Sequence, residues 1–130
     1  RDLDSRLGRR EASAVEEWIQ SGHDYHIMRD NVEHAVPMMA GMWGAKGNLV
    51  PDFSSLVEKH KLTLGEEFDT NVQVDQQFLW NYIIPKIKSA MVHDESTNLG
   101  GNKYPIERLE NEIPEFIGQS YEDFILNVKD

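Results

Sequence analysis

The chain has no cysteine. Disulfides, thiolate metal sites and thiol nucleophiles are thereby excluded, while the compartment is left undecided, with the cytoplasm slightly favoured. Basic residues are scarce: 13 Lys and Arg stand against 23 Asp and Glu, a formal net charge of −10. A general affinity for nucleic acid or anionic lipid is not expected of such a surface. An acidic excess is compatible with cation binding, although more often it only keeps a surface soluble. Long apolar runs are lacking as well. None approaches the roughly 20 residues of a membrane span, and no basic-then-apolar leader opens the sequence. The chain begins at Arg1 rather than at methionine, and reads as processed, trimmed or cut from something longer.

What is present suits a globular protein. Of the 130 residues, 39% are hydrophobic and 9% aromatic, enough for one domain, or part of one, with a moderate core. Residues 5–22 read as a helix with Ala12, Val15, Trp18 and Ile19 on its buried face, stopped by Gly22. The segment 24–29 alternates and reads as a short strand. The segment 36–44, "VPMMAGMWG", reads as a buried strand whose glycines admit a close approach. Pro51 opens a short helix to about residue 60, and 69–71 reads as a loop. The longest helix starts at Asp75 and ends near residue 89, with an apolar face of Phe78, Leu79, Tyr82 and Ile83 and a kink or end at Pro85. Residues 90–93 form a brief strand, 98–102 a loop, and "EFIGQ" a strand-like stretch before a short terminal helix. Trp18 and Trp80 are assigned to the core. Helices alternating with short strands argue for an α/β fold, and the small number of strands suggests that part of a larger sheet is missing. There is no internal repeat and no low-complexity segment.

The opening "RDLDSR" sets Asp2 and Asp4 one residue apart. In an extended segment both carboxylates project to one side, where they can share a divalent cation. Oxygen ligands suit Mg²⁺ or Mn²⁺. An Asp-x-Asp pair is unspecific alone, but "RDLDSRLGRREASAVEEW", "HIMRD", "GMWG", "VDQQFLWNYIIPKIKSAMVHD" and "EFIGQSY" occur in an order that resembles a family of GT-A-type glycosyltransferase-like proteins. The resemblance implies transfer of a sugar from a nucleotide-sugar donor to an unknown acceptor. It implies a mixed sheet with flanking helices, of which this chain is the C-terminal portion. The N-terminal nucleotide-binding half would be lacking, since nothing precedes Arg1. Asp2 and Asp4 would hold the cation against the donor's diphosphate, stabilising charge on the leaving group.

In the same resemblance His93 matches a third metal-ligand position. A strand-end histidine without a ligand role is the alternative, and Asp94 competes for that role. Asp75 and Gln76 match the pair that opens a helix beneath the donor sugar. There Asp75 is a general base toward an acceptor hydroxyl, or else only a residue favoured by the helix dipole. Substrate contacts are expected from Arg6, Arg29, Asp30 and His34, since a guanidinium fork matches phosphate oxygens; an internal Arg29–Asp salt bridge is the alternative. Gly41, Gly44 and Trp43 would suit a sugar pocket, with Trp43 otherwise ordinary core. A second class of reading is a non-catalytic α/β module that dimerises or binds a protein through the face its missing half once covered.

Overall fold

The computed structural model describes residues 5–120. Asp2 and Asp4, and the expected terminal helix beyond Ser120, lie outside the described residues. The architecture is a small mixed sheet with helices on both faces. Three strands, β1 (Tyr25–Arg29), β2 (Trp43–Ala45) and β3 (Ala90–Asp94), lie in the order β2-β1-β3. β1 is antiparallel to β2, with Ile27 opposite Trp43, and parallel to β3, with Tyr25 opposite Ala90 and Arg29 opposite Asp94.

All five residues of β1 are buried, as a central strand covered on both faces requires. The period of two sorts its side chains. Tyr25 and Ile27 enter one core with Met38, Phe78, Leu79 and Ile83. Met28 enters a second core with Ala14, Met42, Tyr104 and Ile117.

α1 (Arg9–Ser21) matches the expected helix, and Gly22 ends it with φ of 79°. Its buried side differs from the expected one. Arg10, Glu11 and Ala14 are buried, whereas Ile19 is 64% exposed. The rotation has an electrostatic cause: Asp30, 1% exposed, requires a cation, and Arg10 Nη1 meets both its carboxylate oxygens at 2.7 Å.

Only Trp43 and Gly44 of the expected strand over 36–44 are extended sheet, with β2 running on to Ala45; the rest is an irregular loop after a 3₁₀ turn at Val32–His34. The apolar run is still buried in part, through Met38 and Met42, because that loop crosses from one core to the other. α2 (Phe53–Leu64) starts after Pro51 and extends past residue 60, and 69–71 overlaps a short α3 (Glu67–Thr70) rather than a free loop.

The helix expected from Asp75 is a composite: α4 (Val74–Phe78), a wide π turn over Leu79–Ile83, and a 3₁₀ turn over Ile84–Lys86 containing Pro85. In the wide turn residues five apart align, so Phe78 and Ile83 share the core. Trp80 falls on the opposite side and is 58% exposed, not core. The stretch "EFIGQ" forms a turn and no strand, and Ser120 just after it makes a single bridge to Ser5.

Candidate functional site

The two faces of the sheet carry two polar groupings. On the α1 face, His26 and His93 are buried neighbours, joined Nε2 to Nδ1 at 2.8 Å, and His93 Nε2 reaches Glu17 Oε2 at 3.0 Å. A carboxylate only accepts, so His93 carries its proton on Nε2, and Nδ1 accepts from His26. Trp18 stacks on His26 with ring centroids 5.2 Å apart. Burial, and then the neighbouring His93, push the His26 pKa down to about 4. Tyr104 closes the group: its hydroxyl donates to Arg29 O at 3.1 Å, Arg10 lies 4.3 Å over its ring, and burial raises its pKa.

At the carboxyl end of β1, Asp30 is saturated. Beyond Arg10, Arg108 Nη2 donates to Oδ1 at 2.9 Å and the Ile117 amide to Oδ2 at 2.8 Å. Its own amide donates to His34 Nδ1 at 3.1 Å. On the opposite face Arg29 makes the internal salt bridge, Nε to Asp94 Oδ2 at 2.6 Å, and its other nitrogens donate to Pro37 O and Gly100 O. Burial alone would raise the Asp94 pKa. Hydrogen bonds from Thr97 and Arg29, with the Thr97 and Ser96 amides, outweigh that and lower it.

The second grouping lies at α4. Gln76 Nε2 donates to Met38 O at 2.6 Å, and its Oε1 accepts from the Ala40 amide at 3.0 Å. Arg29 holds residues 36 and 37 of the same loop from the other side. Two of the expected substrate-binding residues therefore clamp one loop between them. Asp75 is exposed at the start of α4, its Oδ1 accepting from the Gln76 amide at 2.8 Å. It lines a cleft of about 200 Å³ with Val57, His60, Phe68, Val74 and Phe78. In that wall His60 is 1% exposed and its Nε2 meets Val74 O at 3.0 Å. Its Nδ1 is the buried side-chain polar atom without a hydrogen-bond partner among the described residues, an arrangement that costs about 1–3 kcal/mol.

Gly41, at φ of 77°, needs the conformational freedom of glycine. At Gly44 the group that approaches closely is the Trp18 indole, 3.2 Å from where a Cβ would stand. Trp43 is half-buried against the core that includes Tyr25 and Ile27. Arg6 is exposed. Ser5, which follows Asp4, bridges Ser120, and its hydroxyl donates to Gly118 O at 3.4 Å. The Ile117 amide next in that turn is bound to Asp30, so Ser5 contacts a turn that is tied to the carboxyl end of β1.

The expected residues thus form two groups, Arg29, Asp30, His34 and His93 at the end of the parallel strands, and Asp75 with Gln76 at α4. Arg10, Glu17, His26, His60, Tyr104 and Arg108 complete them without having been expected. A basic pair at the start of a helix and a histidine within the β-prone run 24–29 were the available signals. Among the described residues, no group of three or more His, Cys, Asp or Glu is arranged to hold a metal ion, and no helix is long and apolar enough to cross a membrane. Compared with known proteins, the chain matches no family model, no curated protein and no solved structure.

Proposed function

We propose that this chain is the C-terminal portion of a GT-A-type glycosyltransferase domain, acting on a nucleotide-sugar donor with Mn²⁺ or Mg²⁺. The observation that carries the reading is the ordered set of segments from "RDLDSR" to "EFIGQSY". The mixed sheet, with parallel strands at whose carboxyl ends open α/β sheets bind ligands, is compatible with it. Asp2 and Asp4 are the proposed cation ligands. His93 in this conformation has no free ring nitrogen, since His26 and Glu17 engage both, so cation binding in the proposal rests on the two aspartates and water. Arg29, Asp30 and Gln76 act by fixing the 36–40 loop and the strand ends. Asp75 is the exposed carboxylate proposed as general base, with Arg6, His34, Gly41 and Trp43 around the donor.

The experiment is calorimetric. Mn²⁺ is expected to bind measurably in the presence of a nucleoside diphosphate, and only weakly without it, because two carboxylates leave the ion mostly hydrated. Asp2→Ala is expected to remove that heat; equal heats for the wild type and Asp4→Ala would defeat the proposal.

A second reading, a non-catalytic module that pairs with another copy of itself, has its own observation. The outer face of α1 presents Ala12, Val15 and Ile19, with Leu7 just before the helix, along a groove of about 360 Å³, and Leu7 and Ile19 are 75% and 64% exposed. An apolar face of this kind marks an interaction surface.

A further inference from the structure

We infer that two copies of this chain pair through α1 in antiparallel fashion, Ile19 of each lying over Gly8 and against Leu7 of the other. The inference rests on the reading of the chain as a self-pairing module, and gives that association its surface and its direction.

Position comes first. Arg10, Ala14 and Trp18, spaced four apart, fix the inner side of α1 to Asp30, to the second core and to His26. The outer side carries Gly8, Ala12, Val15 and Ile19, which line one groove. Their spacing of four, three and four is that of the seam between two paired helices. At 3.6 residues per turn that seam lies about half a turn away from the residues that face the sheet.

Size gives the direction. Side chains grow along the seam, from none at Gly8 through a methyl at Ala12 to Val15 and Ile19. About a two-fold axis across the helices, Ile19 meets Gly8 and Val15 meets Ala12, so that large fills small at both ends. A parallel pair sets Ile19 against Ile19 and leaves a gap between the two copies of Gly8. Leu7, exposed just before the helix, lines the same groove beside Gly8.

Charge points the same way. Arg9 and Glu16 each follow a seam residue by one position, and so flank the seam on one side. Antiparallel pairing brings Arg9 of one copy toward Glu16 of the other, twice by symmetry; parallel pairing sets like charges together. Arg9 is steadied by Glu112 Oε1 at 2.8 Å and Glu107 O at 2.7 Å, with its side chain still half-exposed. Exposed rim pairs add little affinity and mainly fix orientation. So short a seam buries less than roughly 1,200 Å² in all, the size of a weak interface.

The chain has no cysteine, so single introduced cysteines report the pairing of the full chain under mild oxidation. A disulfide needs Cα atoms within about 7 Å. Leu7→Cys chains mixed with Ile19→Cys chains are expected to form a disulfide-linked dimer. Ile19→Cys alone is expected to form none, since antiparallel pairing holds the two copies of residue 19 roughly 16 Å apart along the axis. Val15→Glu is expected to raise the dimer dissociation constant at least about tenfold in sedimentation, because it buries a charge without a partner, with the urea midpoint little changed. If Val15→Glu does not fold, Ile19→Glu, at an exposed position, takes its place. Ready linkage of Ile19→Cys with itself overturns the antiparallel arrangement. A dimer unaffected by either glutamate overturns the α1 surface and leaves self-association standing on another face. A monomer at every concentration removes both the inference and the reading beneath it; a lowered urea midpoint in Val15→Glu would then mean that the chain covers this face itself.

Discussion

His26 is the residue whose environment has the clearest thermodynamic consequence. Its folded pKa is about 4 against an ordinary 6.5, because burial disfavours the imidazolium and His93 stands beside it. Between those two values the unfolded chain binds the proton and the folded chain does not, so stability falls as pH drops from about 6.5 to about 4. The loss is on the order of 3 kcal/mol across that window. Urea midpoints at pH 7 and pH 4.5 are expected to differ accordingly, and His26→Phe, which keeps an aromatic ring under Trp18 but does not titrate, is expected to flatten the slope. An equally steep slope in that variant would assign the acid sensitivity elsewhere. Asp94 responds over a lower range: its pKa is depressed below 3.8, so its contribution persists above that value and disappears as the pH falls through the depressed one.

Among the elements, the 36–40 loop depends most on two side chains. Gln76→Ala removes the bonds to Met38 O and the Ala40 amide, a loss of about 1–3 kcal/mol. Hydrogen exchange at Ala40 is expected to quicken while that of β1 is little changed; unaltered exchange at Ala40 would show that Arg29 alone secures the loop. The same loop shows where sequence reading reached its limit. β1 and β3 were legible because short β-prone runs stood out against their neighbours. The run 36–44 has the composition of a strand but serves as a buried connector, and its apolar content records burial rather than extension. Trp80 was assigned to the core for its apolar character, although two residues on from Phe78 it stands about half a turn from that side chain in an ordinary helix and in the wider turn alike. α1 was located correctly and turned wrongly: no periodicity of apolar residues announces that Arg10 will be drawn inward by Asp30. Of the candidate site, the residue types near the strand ends were legible, but their partners were not, since Arg10, Arg108 and Gly100 are supplied from distant parts of the chain.

For the molecule as a whole, the outer face of α1 and the net charge oppose each other. Leu7, Val15 and Ile19 favour a dimer or larger assembly at micromolar concentration, whereas a formal charge of −10 on each copy resists it. Salt screens the repulsion and leaves apolar burial in place, so light scattering is expected to show mass increasing with both concentration and ionic strength. A clean monomer at high concentration and high salt would count against self-association, and with it against the second functional reading.

The pairing of β1 with β3 also dictates an order of events. Arg29 and Asp94 are 65 positions apart, whereas β2 follows β1 by a short excursion. Contacts between near neighbours in the chain close quickly, and those that enclose a long loop close late. The antiparallel half of the sheet can therefore assemble while the parallel half waits for the chain from α2 to the 3₁₀ turn at Lys86 to collapse on Tyr25 and Ile27. Until then His26 has no His93, Arg29 no Asp94, and the strand that ends in the candidate site presents one open edge to every other chain in solution.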